Sequence, residues 1–246
     1  MEKKYKLTEE ICYDFLGIKL YRIEALKDFG IVKKGDKGGY IENENNLSQE
    51  GDCWIYGNTK VSDKAIVCGN AQVSGNAQVF GNATVYGNAL VYGNAKVFDD
   101  AKVYDGAKVY GDAIVSNNAI VSDKAIVCGN AKVFGNAVIC DNALVYGNAV
   151  ICDNALVFGN AEVYGYVQVC GSAEIKDNSD YIVFKNWWSS GRYFTWTRSN
   201  NMWKVGCFYG TGEELIKKAC EDSELSGREY KIVVNYVEAM LQNTKK

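Results

Sequence analysis

The sequence holds no histidine and no proline among its 246 residues. The first absence removes the usual general base at neutral pH and the commonest protein ligand for a transition metal. The second leaves every residue able to donate a backbone hydrogen bond, as densely laddered strands require. No run of eighteen apolar residues occurs, so no membrane-spanning helix is expected. The opening stretch MEKKYKLTEE lacks the basic, apolar and small-residue order of a secretory signal, which makes a cytoplasmic protein the expectation. Neither sign of charge dominates: 27 basic and 30 acidic residues give a net −3, which makes no general case for a long nucleic acid or an anionic membrane as partner.

What the sequence has in abundance is one unit. From Ile55 to Ile175 a Val or Ile returns at every sixth position, as in Val61, Val67, Val73 and onward through Val163 and Val169, for twenty-one consecutive units of the form V-x-G-N-A-x. Thr59 and then Ala65, Ala71 and their successors fill the fifth position, with Val167 the enlarged member. A helix would place residues six apart about 240° around its axis, so the Val set would share no face. Short strands and tight turns serve better. Ala and the next unit's Val lie two apart and point inward together, while Gly-Asn or Asp-Asn turns the chain, because Gly has no penalty at positive φ and Asn or Asp tolerate it. Three units close a triangular coil of eighteen residues. With coils roughly 4.8 Å apart, seven of them give a prism roughly 35 Å long whose ends need covers. Leu47 and Cys53 extend the period backwards, so an irregular first coil starts near residue 37.

Nine cysteines include no C-x-x-C pair, and Cys128, Cys140, Cys152 and Cys170 share one repeat position. Cys152 and Cys170 become neighbours on adjacent coils, which leaves a disulfide open; reduced, packed thiols are the favoured reading.

The side chains of the prism's outside are equally patterned. The residue after Val is repeatedly aromatic, as at Phe80, Tyr86, Tyr92, Phe98, Tyr104 and Tyr110, and reads either as stacking along the sheet or as a contact surface. The residue before Val is Lys96, Lys102 and Lys108 around one coil. It then turns apolar at Ile114, Ile120, Ile126, Val138, Leu144, Val150 and Leu156, broken by Lys132. Such a collar exceeds what a solitary soluble protein exposes, so a homo-oligomer, dimer or trimer, is expected to cover it, with the chain's own carboxy-terminal segment as the other cover. Asp99, Asp100, Asp105 and Asp112 near the three lysines read as a solvated ion-pair surface, with a ligand or divalent-cation site as the competing reading.

Residues 1–36 read as an amino-terminal cap, 37–179 as the prism and 180–246 as a small β-β-β-α-α module. In the cap, Tyr21–Leu26 has strand alternation. Gly35, Gly38 and Gly39 with their lysines lack the Walker spacing and read as a plain cap before a phosphate loop. In the module, strands are expected at 181–184, 192–197 and 202–205. Two helices are expected behind the capping boxes Thr211/Glu214 and Ser226/Glu229. Arg192, Trp196, Arg198 and Lys204, with Lys185, Trp187, Trp188, Tyr193 and Trp203, mix cations and aromatic planes. The mixture suits a sheet-domain core and rim, a nucleotide or single-stranded nucleic-acid site, or a protein contact.

The units V-Y-G-N-A-L at 85–90, V-Y-G-N-A-K at 91–96 and V-F-G-N-A-V at 133–138 resemble the hexapeptide repeats of left-handed parallel β-helix proteins. The left-handed sense is implied by that resemblance; general connection rules favour right-handed crossovers. With L-Y-R-I-E-A-L-K-D-F-G and G-G-Y-I-E-x-E-x-N-L ahead of it, the G-N-A-x-V series looks like the YdcK-like repeat proteins, some of them carried by phages. The fold class is thus mostly β: a left-handed parallel β-helix of about seven to eight coils with a small α+β module. Many β-helix relatives are acyltransferases that use a histidine base, and others are zinc-dependent carbonic anhydrases with histidine ligands; a chain without histidine matches neither. The ice-binding variant needs arrays of Thr, and only Thr59 and Thr84 occur in the repeats. The expectation is a non-catalytic, homo-oligomeric scaffold with no cofactor and no metal site. The alternative is a phage-type protein that sequesters a nucleotide-like anion with Lys96, Lys102, Lys108, Tyr104, Tyr110 or the module's cations; an acyltransferase-like enzyme comes third.

Overall fold

A computed structural model describes residues 2–243. Two-residue strands recur every sixth residue from Trp54–Ile55 to Glu174–Ile175, each containing one Val or Ile and the residue before it. Rungs eighteen residues apart pair in parallel, Val97 with Val115 and Val103 with Val121. They form three sheets, of ten, seven and seven strands, and the sheets are the faces of a triangular β-solenoid. Each face is named below by one outward residue: Ile114, Ile120 or Ile126. The inward Val, Ile and Ala side chains are fully buried and form one core from Tyr5 to Ile175.

The period also sets the corners. The third position of every unit from Ile55 to the one at Val169 has positive φ, whether it is Gly93 (+75°), Asp99 (+58°) or Asn117 (+55°). The asparagines after it stack along the axis, as Asn76 Nδ2 to Asn94 Oδ1 at 3.2 Å and Asn136 Nδ2 to Asn154 Oδ1 at 2.9 Å. Backbone bonds such as Lys102 N to Ala119 O, 2.9 Å, hold adjacent coils.

Both ends of the core are covered. At the amino end, strands Tyr5–Tyr13, Lys19–Ala25 and Lys37–Ile41 extend the Ile114 face, the first two antiparallel and the third parallel to rung Lys60–Val61. The first of these strands has weak alternation and was not expected from sequence. Lys4 is buried beneath it, and its ammonium donates to the carbonyl oxygens of Gly51 and Cys53 at 3.2 and 3.0 Å. Gly38 and Gly39 pack against Ile23, Ile55 and Thr59 with no room for a side chain, as a cap requires.

At the carboxy end stands an antiparallel sheet of four strands, Tyr181–Lys185, Tyr193–Thr197, Met202–Val205 and Phe208–Gly210. The fourth, three residues long between Gly206 and a buried Gly210, is one more than the sequence pattern announced. Period two gives the sheet two faces. Ile182, Phe184, Phe194, Trp196 and Trp203 form a second core with helices Gly212–Asp222 and Glu224–Asn243. Tyr181 and Val183 instead pack on the solenoid core, while Thr195 Oγ1 accepts from Gln168 N at 3.0 Å. The Thr211/Glu214 box caps the first helix as expected. The second helix begins at Glu224, so Ser226 is inside it; Ser223 Oγ accepts from Ser226 N at 3.1 Å and does the capping.

Among the described residues, no helix is long and apolar enough to cross a membrane.

Candidate functional site

The lysines expected to gather a ligand are placed apart. Lys96, Lys102 and Lys108 belong to three different sheets and therefore to three faces. Tyr104 stacks on Tyr86 at 4.7 Å and Tyr110 on Tyr92 at 4.6 Å, again on separate faces. Hydrogen bonding with Cys128, followed by burial, pushes the Tyr110 hydroxyl up to about 12. The outward aromatics thus pair with each other along the coils.

The ion-pair surface expected around these lysines is absent among the described residues. Asp99 Oδ2 accepts from Asn117 N, and Asp100 and Asp112 accept from the amides of Asn82 and Asn94 at 2.9 and 3.0 Å. The carboxylates are held in the corner ladders while the lysines project from the flat faces.

The collar residues Ile114, Ile120, Ile126, Val138, Leu144, Val150 and Leu156 are all half-buried, and their order differs from face to face. On the Ile120 face, pairing runs Lys102, Ile120, Val138, Leu156, Glu174. On the Ile126 face it runs Lys108, Ile126, Leu144, Glu162. Lys132 interrupts the Ile114 face between Ile114 and Val150. The carboxy-terminal sheet sits on the end of the core through Tyr181, Val183 and Thr195, not along the collar.

Of the module's candidates, Trp196 is a correction. It is buried in the second core with its indole N–H on Asn201 Oδ1 at 2.9 Å, so it offers no stacking surface. Trp188 and Trp203 also join that core. Arg198 is exposed beside the boundary turn, its backbone N–H on Asp180 O at 2.8 Å, and Lys204 is half-buried on the central strand.

Arg192 and Tyr193 border a cavity. A half-open cleft of about 350 Å³ is lined by Asn148, Tyr166, Gln168, Gly191, Arg192, Tyr193 and Gly206. Tyr166, at the position most units fill with Asn, lies flat on Tyr193 with ring centres 4.8 Å apart. A second cavity of about 300 Å³ lies between Tyr164, Tyr166, Val167, Tyr181, Val183 and Tyr193. Desolvation pushes the Tyr181 hydroxyl up to about 12, and its O–H donates to Glu162 O at 2.8 Å.

The favoured reduced state is corrected for one pair of cysteines. Cys152 and Cys170 form a disulfide, their Cα atoms brought to 4.7 Å by the eighteen-residue register. Seven other cysteines are free. Asp153 adjoins that disulfide, and Asp123, Cys140 and Asp141 make another close group. Their carboxylates serve backbone donors: Asp153 Oδ2 accepts from Gly171 N and Asp141 Oδ2 from Gly159 N, both at 2.9 Å.

These features define a parallel β-solenoid of hexapeptide repeats, closed at both ends. Residues 77–93, 107–123 and 137–153 match the YdcK Beta solenoid repeat. The chain is similar to an uncharacterized acetyltransferase, YdcK, of Escherichia coli (strain K12), at 38% identity over 78 residues, 28% of this chain and 24% of that protein. The match thus spans about a quarter of that relative's length.

Proposed function

We propose that the protein is a non-catalytic scaffold that assembles with itself along the Ile120 face. The order of side chains on that face carries the reading: a cation at Lys102, three aliphatic rungs, and an anion at Glu174. Such a face is complementary to itself when turned end for end. A twofold axis through the Val138 level sets Lys102 of each copy opposite Glu174 of the other and buries Ile120, Val138 and Leu156 between them. A parallel arrangement sets Lys102 against Lys102. Antiparallel pairing therefore favours a dimer over a trimer.

Two observations support the absence of catalysis. The chain has no histidine, and rungs recur every sixth residue without an inserted loop between 55 and 175. The acetyltransferase name of the relative invites an acyltransferase reading, yet Asp100 and Asp112, two carboxylates that could stand in for a histidine base, each accept from an asparagine amide. The sequestering alternative gains nothing from the prism's lysines, which share no site; the tyrosine-lined cavities at its end are the feature in its favour.

Light scattering on the purified protein tests assembly. The expected mass is twice that of the chain, and Ile120→Glu with Leu156→Glu returns it to a single chain. A wild-type protein of one-chain mass at micromolar concentration sinks the proposal.

A further inference from the structure

We infer that the seam between the last coil and the carboxy-terminal sheet binds a planar aromatic anion. This goes beyond the assembly proposed above and does not depend on it.

The repeat breaks at two consecutive positions there. Tyr166 replaces the usual Asn and Val167 the usual Ala. Neither change is needed to end the solenoid, since the next unit resumes with Ala173 and Ile175 in the core. Their effect is to raise a tyrosine at the rim, stacked on Tyr193, and two cavities share that pair in their walls. The two cavities differ in chemistry. One has tyrosine and valine walls: Tyr164, Tyr181, Val167 and Val183. The other has the Arg192 guanidinium with the side chains of Asn148 and Gln168. Because both are bordered by Tyr166 and Tyr193, a ligand of modest length meets both, with its ring among the tyrosines and its charge at Arg192. Each volume is at the lower end of small-molecule sites, which suits a ring system of one or two rings.

Exposure and charge agree with this reading. Tyr164 and Tyr166 are 48% and 54% exposed, so their ring surfaces are accessible for stacking. Arg192 forms no ion pair among the described residues. The Lys185 ammonium, 5.6 Å from the Tyr193 ring centre, adds a second positive charge. On the apolar side the Tyr181 hydroxyl donates to the carbonyl oxygen of Glu162, while Arg192 borders the other cavity, so an anionic end is directed toward Arg192. A guanidinium accepts phosphate or carboxylate alike, and the shared chemistry is a planar ring bearing one anionic group.

Titration calorimetry of the full chain with 1-naphthyl phosphate, 1-naphthoate and neutral 1-naphthol tests the site. The expected result is one saturable site per chain for at least one anion, with naphthol at least tenfold weaker; the tighter anion identifies the charged group. Arg192→Gln, a change at an exposed side chain, should weaken the anion at least tenfold and leave naphthol unmoved. Tyr166→Asn restores the repeat residue and should abolish binding without lowering the unfolding temperature. No saturable binding of either anion at millimolar concentration overturns the inference, as does binding that Arg192→Gln leaves unchanged.

Discussion

A methyl group placed on Gly93 would come within 2.9 Å of the backbone nitrogen of Gly111, one coil further on. Gly93 also holds a φ of +75°, which costs an L side chain roughly 1–2 kcal/mol before any clash. Gly93→Ala should therefore destabilise the protein by at least about 1–2 kcal/mol. Chemical denaturation measures it, and an unchanged midpoint would contradict the tight corner.

Ala119 is fully buried in the narrow coil beneath the Ile120 face. Ala119→Leu overfills that coil and should cost at least roughly 1–3 kcal/mol. Thermal unfolding reports it; a variant as stable as wild type would mean that the coil has room the packing denies.

Thr59 stands where nearly all later units have Ala, fully buried with no partner for its hydroxyl among the described residues. Thr59→Ala removes an unsatisfied polar group whose burial costs about 1–3 kcal/mol, so a rise in unfolding temperature is expected. A fall would show that the hydroxyl is satisfied in solution.

The Cys152–Cys170 bond closes a loop of eighteen residues at the end of the solenoid. The chain-entropy account gives such a crosslink about 3 kcal/mol. Reduction, or Cys152→Ser, should speed amide exchange in the last coil and the terminal sheet while leaving the middle coils protected. Uniform exchange rates before and after reduction would argue against a local role.

The six-residue period made the prism, its buried Val and Ala lining and its asparagine ladders legible, because a repeat states the same local geometry many times. The seam was not legible. Tyr166 reads as a lapse in the pattern until the sheet that carries Tyr193, twenty-seven residues later, is folded onto it. Trp196 misled for a related reason: its neighbours on the strand alternate between the solenoid and the helices, and only the contacts show which way each one faces. The lysines failed as a site because their spacing of six carries each to a new face. Ser226 resembled a cap, yet Ser223 lies one turn earlier and takes that place.

The central claim is antiparallel self-assembly on the Ile120 face, and the most direct measurement is the dimer dissociation constant, by sedimentation, for charge variants at its two ends. Lys102→Glu alone should set carboxylates against Glu174 of the second copy and weaken the dimer, as should Glu174→Lys alone. The double exchange, Lys102→Glu with Glu174→Lys, should restore wild-type affinity. Single variants that dimerise as tightly as wild type, or a double exchange no tighter than either, would contradict the account.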